Sequence, residues 1–137
     1  MAYQLSFAIL HNYDSRKIGI TVPVWLKSGA KAVNIEAKLD TGSSLCVFRH
    51  GIGELLGLHI ESGTRQEIST ATGSFIAYGH EVLLHALGIE FTSTVFFAAE
   101  EGFNRDVLGR QGWLDRMLLG IVDHDGALYL SHYDDVV

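Results

Sequence analysis

Lys38-Leu39-Asp40-Thr41-Gly42-Ser43-Ser44-Leu45 is the stretch on which the fold turns. It closes a run in which Val33, Ile35, Ala37 and Leu39 alternate with Asn34, Glu36, Lys38 and Asp40. A period of two marks a half-buried strand, so Asp40 is expected at the strand's end, on its polar face. A carboxylate placed there and followed by a tight turn projects from rigid backbone into a cleft. Thr41 brings a hydroxyl that can lock the turn, and Gly42 lets backbone amides approach the carboxylate closely. Ser43 offers a further donor to the outer carboxylate oxygen. Such donors favour the ionised form and hold the group in plane. The plain alternative is an ordinary turn, where Asp and Gly are common.

Outward from this stretch the dominant period stays at two. Ile18, Ile20, Val22 and Val24 alternate, and Pro23 points to an edge or a strand end. Lys27-Ser28-Gly29-Ala30-Lys31 reads as a turn into the Asp40 strand. Two more strands are expected over Ser74–Leu84 and Ile89–Phe97, joined by a turn at His85-Ala86-Leu87-Gly88. His124-Asp125-Gly126 reads as a hairpin turn into a last strand, Ala127–Leu130. Two segments have helical spacing. Ile52, Leu55, Leu56 and Leu58 predict one short helix, and Val107, Leu108, Trp113, Leu114, Met117 and Leu118 predict another over 107–119. Asn104 would cap the second, although Gly109 and Gly112 each weaken it by about 1 kcal/mol. With no linker, repeat or low-complexity run, residues 1–137 read as a single, mostly β domain.

A second element gives the Asp40 turn its meaning. Val107-Leu108-Gly109-Arg110 begins 67 residues after Asp40. The pair of segments resembles the retropepsin-like aspartic proteases, whose Asp-(Ser/Thr)-Gly loop is followed at a similar distance by a hydrophobic-hydrophobic-Gly element, often with Arg next. The resemblance spans about residues 15–131 and implies a closed, barrel-like acid protease fold with one or two short helices. In that family Asp40, Thr41 and Gly42 would be the catalytic triplet, with Ser43, Val107, Leu108, Gly109 and Arg110 supporting the loop. Only one Asp in the chain is followed by Thr or Ser and then Gly, so a two-carboxylate mechanism requires a homodimer. Two carboxylates about 3 Å apart hold one proton between them and activate water against a peptide carbonyl without metal or cofactor. Family members cover the substrate with a hairpin flap. The matching candidate is Ser69–Phe75, with Ala71, Thr72, Gly73 and Ser74 at its tip, and its alternative is a surface hairpin with no substrate role. Phe48, Phe75 and Trp113 could wall pockets but are more often plain core.

The chain departs from the retroviral pattern in one respect. Ser43-Ser44-Leu45 follows the triplet where retroviral members carry Ala-Asp-Asp, so the acidic partner of the helix Arg is missing. That leaves Arg110 to a backbone carbonyl, to Asp106 or to solvent. Leu118-Leu119-Gly120 is a second hydrophobic-hydrophobic-Gly run, but it fits the family order less well.

Competing chemistries find little support. His11, His50, His59, His80, His85, His124 and His132 show no His-x-x-x-His or His-Glu-x-x-His spacing, so no metal site is expected. Asp123-His124-Asp125-Gly126 lacks the remaining ligands of a calcium loop. Cys46, the one cysteine, sits in an apolar run and reads as buried structure. Ser43 and Ser44 lack the Gly-x-Ser-x-Gly context of a hydrolase elbow. A net charge of −6 without Lys/Arg clusters argues against nucleic acid. The apolar runs are too interrupted for a membrane span, and Met1–Leu10 lacks the charged region of a signal peptide, so a cytoplasmic protein is expected. The peptidase reading has two rivals. One is a catalytically silent binding or dimerisation module on the same scaffold; the other is an unrelated small β-barrel with a chance turn at Asp40.

Overall fold

The computed structural model describes residues 1–135. Ten strands carry the architecture: β1 (Ile9–Asn12), β2 (Ile20–Ser28), β3 (Lys31–Leu39), β4 (Val47–Phe48), β5 (Thr64–Thr70), β6 (Gly73–Ala86), β7 (Ile89–Ala98), β8 (Val107–Leu108), β9 (Met117–Val122) and β10 (Ala127–His132). One α-helix, α1 (His50–Leu55), follows β4, and 3-10 turns occupy Ile60–Ser62, Leu114–Arg116 and Asp123–Asp125. The larger sheet runs β2-β3-β8-β4-β7-β6-β5, and a further β2–β6 pairing closes its first six strands into a barrel. Closure gives each of those six strands a neighbour on both sides over part of its length. A smaller sheet, β1-β10-β9, packs Leu128 and Leu130 into the same core.

The alternation read from the sequence is the alternation of burial. In β2, Val22, Val24 and Leu26 point inward with no more than 1% exposure, while Pro23 and Trp25 point out. Pro23 sits inside the strand rather than at its end. It is tolerated because β6 pairs β2 only over Val24–Lys27, so that side of Pro23 has no ladder partner to lose. The β6–β7 turn is shorter than expected, because β6 continues through Ala86 and only Leu87 and Gly88 connect the strands. Both have positive φ, 52° and 84°, as a type I′ hairpin turn requires.

The expected helix over 107–119 is not formed. Val107–Leu108 is strand β8, Leu114–Arg116 is a single 3-10 turn, and Met117–Val122 is strand β9. Two local facts exclude a helix there. The amides of Arg110 and Gln111 donate to Ser43 O and Ser44 O, and Gly112 has φ +100°. Asn104 therefore caps nothing, and Leu118-Leu119-Gly120 lies within β9. The first expected helix does form as α1, but Leu55 is exposed while Ile52 and Leu56 are buried. Strands β1, β4, β5, β8 and β9 were not anticipated from the sequence.

Phe48 and Phe97, both fully buried with ring centroids 6.1 Å apart, fill the barrel beneath the parallel β4–β7 pair. Neither is a pocket wall, and neither is Trp113, which is equally buried. Truncating a buried Phe loses its transfer energy and leaves a cavity. Phe97→Ala is expected to lower unfolding free energy by about 3–5 kcal/mol, as measured by urea denaturation.

Candidate active site

Asp40 leaves the end of β3, whose other neighbour at this point is the two-residue strand β8. Lys38 pairs with Val107 and Leu39 with Leu108 in parallel register. The Asp40 amide donates to Leu108 O at 3.0 Å, carrying the ladder one residue further. The chain then turns back, with Ser43 N–H donating to Asp40 O at 3.2 Å. Within the turn the Gly42 amide donates to Asp40 Oδ1 at 2.9 Å, an Asx turn that orients the carboxylate. The role expected of Gly42, bringing an amide close to the carboxylate, is thus present.

The other two donors behave differently from expectation. Ser43 Oγ donates to Leu45 O at 2.7 Å rather than to the Asp40 carboxylate. The Thr41 side chain is exposed and makes no hydrogen bond among the described residues. Asp40, Thr41 and Gly42 are all exposed in the isolated chain, at the crest of a loop whose base is buried at Cys46, Val47 and Phe48. The carboxylate is held on one side and open on the other.

The base of the loop is held by the segment carrying Val107, Leu108, Gly109 and Arg110. Arg110 N–H donates to Ser43 O at 2.8 Å and Gln111 N–H to Ser44 O at 2.9 Å, and Leu45 bridges to Gln111 in parallel. Gly109 N–H points at Cys46 Sγ at 3.3 Å. A Cβ on Gly109 would stand 2.2 Å from Leu45 O and 2.7 Å from Ser43 O. Only glycine fits where two backbones pass this closely. Arg110 serves through its backbone; its side chain is exposed and unpaired among the described residues.

Asp106 is taken instead by Arg49. The Arg49 amide donates to Asp106 Oδ1 and its guanidinium Nε to Oδ2, both at 3.0 Å. This pair was missed from the sequence, where Asp106 entered only as a possible partner of Arg110. Cys46, fully buried as expected, has its thiol pushed up to about 12 by burial, partly offset by the Gly109 amide. A thiol so placed is no nucleophile.

The hairpin expected over Ser69–Phe75 is present. β5 and β6 pair from Thr64–Gly79 to Thr70–Gly73, leaving Ala71 and Thr72 as the exposed tip beside Gly73 and Ser74. Thr70 Oγ1 donates to Gly73 O at 3.0 Å across the turn. Phe75 stacks on Phe103 of the β7–β8 connection, with centroids 4.7 Å apart and planes 25° from parallel. The hairpin and residues 98–105 border an open cleft of about 780 Å³, lined by Arg65, Phe75, Tyr78, Phe103 and Arg105 among others. Asp40 lies outside these walls. Phe75 is thus the one suggested pocket residue that does line a cleft.

The histidines serve mainly as local ties. Rings of His11, His50 and His80 meet the carbonyls of Thr21, Ala98 and Ile60. Among the described residues, His132, Asp134 and Asp135 form the one group whose ligand atoms lie within 4.8 Å of one another. The sequence predicts no metal site; in this group Asp134 and Asp135 are exposed and His132 is half-buried, and it is remote in sequence from the Asp40 loop. Among the described residues no helix is long and apolar enough to cross a membrane.

A six-strand closed barrel with an Asp-Thr-Gly loop backed by a hydrophobic-hydrophobic-Gly strand is the retropepsin-like fold, and this chain has it. Among solved structures it is similar to a retropepsin-like aspartic protease from Rickettsia conorii, with a TM-score of 0.64 and 18% identity over 90% of this chain and 97% of that one. It is also similar to the EIAV protease in complex with the inhibitor HBY-793, with a TM-score of 0.54 and 18% identity over 69% of this chain and 84% of that one. No protein-family model matches the sequence, and no curated protein matches it. The unrelated-barrel alternative is thereby excluded at the level of fold.

Replacing Gly109 tests whether the loop depends on that close approach. Gly109→Ala must displace the carbonyls of Ser43 and Leu45, so a loss of about 1–3 kcal/mol is expected in chemical denaturation. A Gly→Ala change at Gly51, where an added Cβ meets nothing within 4 Å, serves as the control.

Proposed function

We propose that the chain is one subunit of a homodimeric aspartic endopeptidase in which Asp40 of each copy supplies half of the catalytic pair. The observation that carries this is the placement of Asp40: fixed at its base by the β3–β8 ladder, oriented by Gly42 N–H, and exposed on the side where a second copy would meet it. With a single Asp-Thr-Gly loop per chain, a symmetric dimer is the way to bring two such carboxylates together.

Each residue then has a role. The ionised member of the pair takes a proton from a water that attacks the peptide carbonyl, and the protonated member donates to the carbonyl oxygen. Gly42 holds the carboxylate in plane. Thr41, exposed and unpartnered in the isolated subunit, is available to a group on the partner copy. Ser43 and the backbones of Val107, Leu108, Gly109 and Arg110 keep the loop from moving, which matters because small misplacements of reacting groups are costly. The hairpin tip, Ala71–Ser74, acts as the flap that covers an extended peptide and excludes water. Its two-residue turn and the unpaired outer edge of β5 suit a segment that must move.

The test is cleavage of a mixed peptide library between about pH 3 and 7, comparing wild type with Asp40→Asn and recording the mass in solution. Cleavage confined to the dimer, with a bell-shaped pH profile and at least a 100-fold loss in Asp40→Asn, is expected. Cleavage that persists in Asp40→Asn contradicts the proposal. A dimer that cleaves nothing at any pH would favour a silent binding module on the same scaffold.

A further inference from the structure

Asp106 is the only charged residue in the buried set of described residues, 8% exposed, whereas the side chain of its partner Arg49 is 47% exposed. Desolvating a carboxylate is costly unless it is paired and hydrogen-bonded, so its position calls for a reason. The reason lies in what Asp106 joins. Its backbone carbonyl accepts the Lys38 amide at 2.8 Å, two residues before Asp40. Its side chain accepts both the Arg49 amide and the Arg49 guanidinium, just beyond β4. Lys38 and Arg49 are the two flanks of the loop that carries Asp40, and one residue grips both.

The strands around the loop make such a grip necessary. β4 and β8 are only two residues long, and their mutual pairing is a single one, Val47 with Val107. Ladders this short hold poorly by themselves. The segment from Asp106 to Gln111 supplies the remaining restraint, through Leu108 O to Asp40 N–H at one end and the Arg110 and Gln111 amides to Ser43 and Ser44 at the other. Asp106 fixes where that segment begins.

We infer that Asp106 and Arg49 form a clamp that positions the Asp40 loop, Asp106 through both flanks and Arg49 through its guanidinium. They are positioning residues, since neither is placed to touch substrate, and their effect on turnover rests on the peptidase reading proposed above. Their effect on the loop does not.

The experiment reads the two separately in full-length Asp106→Ala, Asp106→Asn and Arg49→Ala. Amide hydrogen exchange is followed at Asp40, Arg110 and Gln111, with β6 and β7 amides as internal reference, and kcat and KM are measured on a peptide the wild type cleaves. Asp106→Ala is expected to speed exchange at the three loop amides by about tenfold or more over the reference amides. It is also expected to lower kcat by about 10–100-fold with KM changed less than about twofold. Asp106→Asn keeps an acceptor for the Arg49 amide, and Arg49→Ala keeps that amide itself, so both should fall between wild type and Asp106→Ala. Loop amides that exchange as in wild type, or that change only in step with β6 and β7, overturn the clamp. If Asp106→Ala does not fold, Arg49→Ala decides by the same exchange criterion. A wild type that cleaves nothing counts against the peptidase reading alone, and the exchange data still settle the clamp.

Discussion

Gly109 passes beneath the Asp40 loop at a distance no side chain would permit, since an added Cβ would meet the carbonyls of Ser43 and Leu45. From that approach follow the hydrogen bonds of the Arg110 and Gln111 amides to the loop and the placement of β8 between β3 and β4. Each bond contributes only about 1 kcal/mol net. Together they allow a sharp loop to carry an exposed carboxylate at its crest without collapsing onto the barrel. Remove the close approach and the six-strand closure loses its middle.

The barrel in turn supplies the rigidity that the loop borrows. β3 arrives from a nine-residue antiparallel pairing with β2, and β4 leaves into a parallel pairing with β7 over Phe48 and Phe97. The loop is therefore fastened to the buried barrel core around Phe48 and Phe97. The hairpin of β5 and β6 is fastened at one side only, where β6 joins β7 and β2.

How much of this was legible depends on whether the physics was local. The strand into Asp40 and the turn at Gly42 could be read because alternation and glycine placement are written in adjacent residues, whereas Val107-Leu108-Gly109 took its significance only from the resemblance to retropepsin-like proteases. The hairpin tip was sought because the resemblance implies a flap, and its small polar residues with Gly73 picked the place. β5 was invisible because all of its residues but Ile68 are exposed, so no hydrophobic period marks it. The segment 107–119 had helical spacing, yet its amides were already committed to Ser43 and Ser44, a tertiary demand that outweighs local propensity. Arg49 and Asp106 are 57 residues apart, and only the folded chain brings them together.

What the fold and the site support is a half-site: one oriented carboxylate per chain, on a face without cover. Sharing of the pair between two chains is the central claim, and subunit mixing tests it most directly. Wild type and Asp40→Asn are unfolded together, refolded at varied ratios and fixed total concentration, and assayed for cleavage. If both carboxylates are needed, activity falls as the square of the wild-type fraction. A linear fall would mean that each chain works with its own Asp40, which would contradict the account.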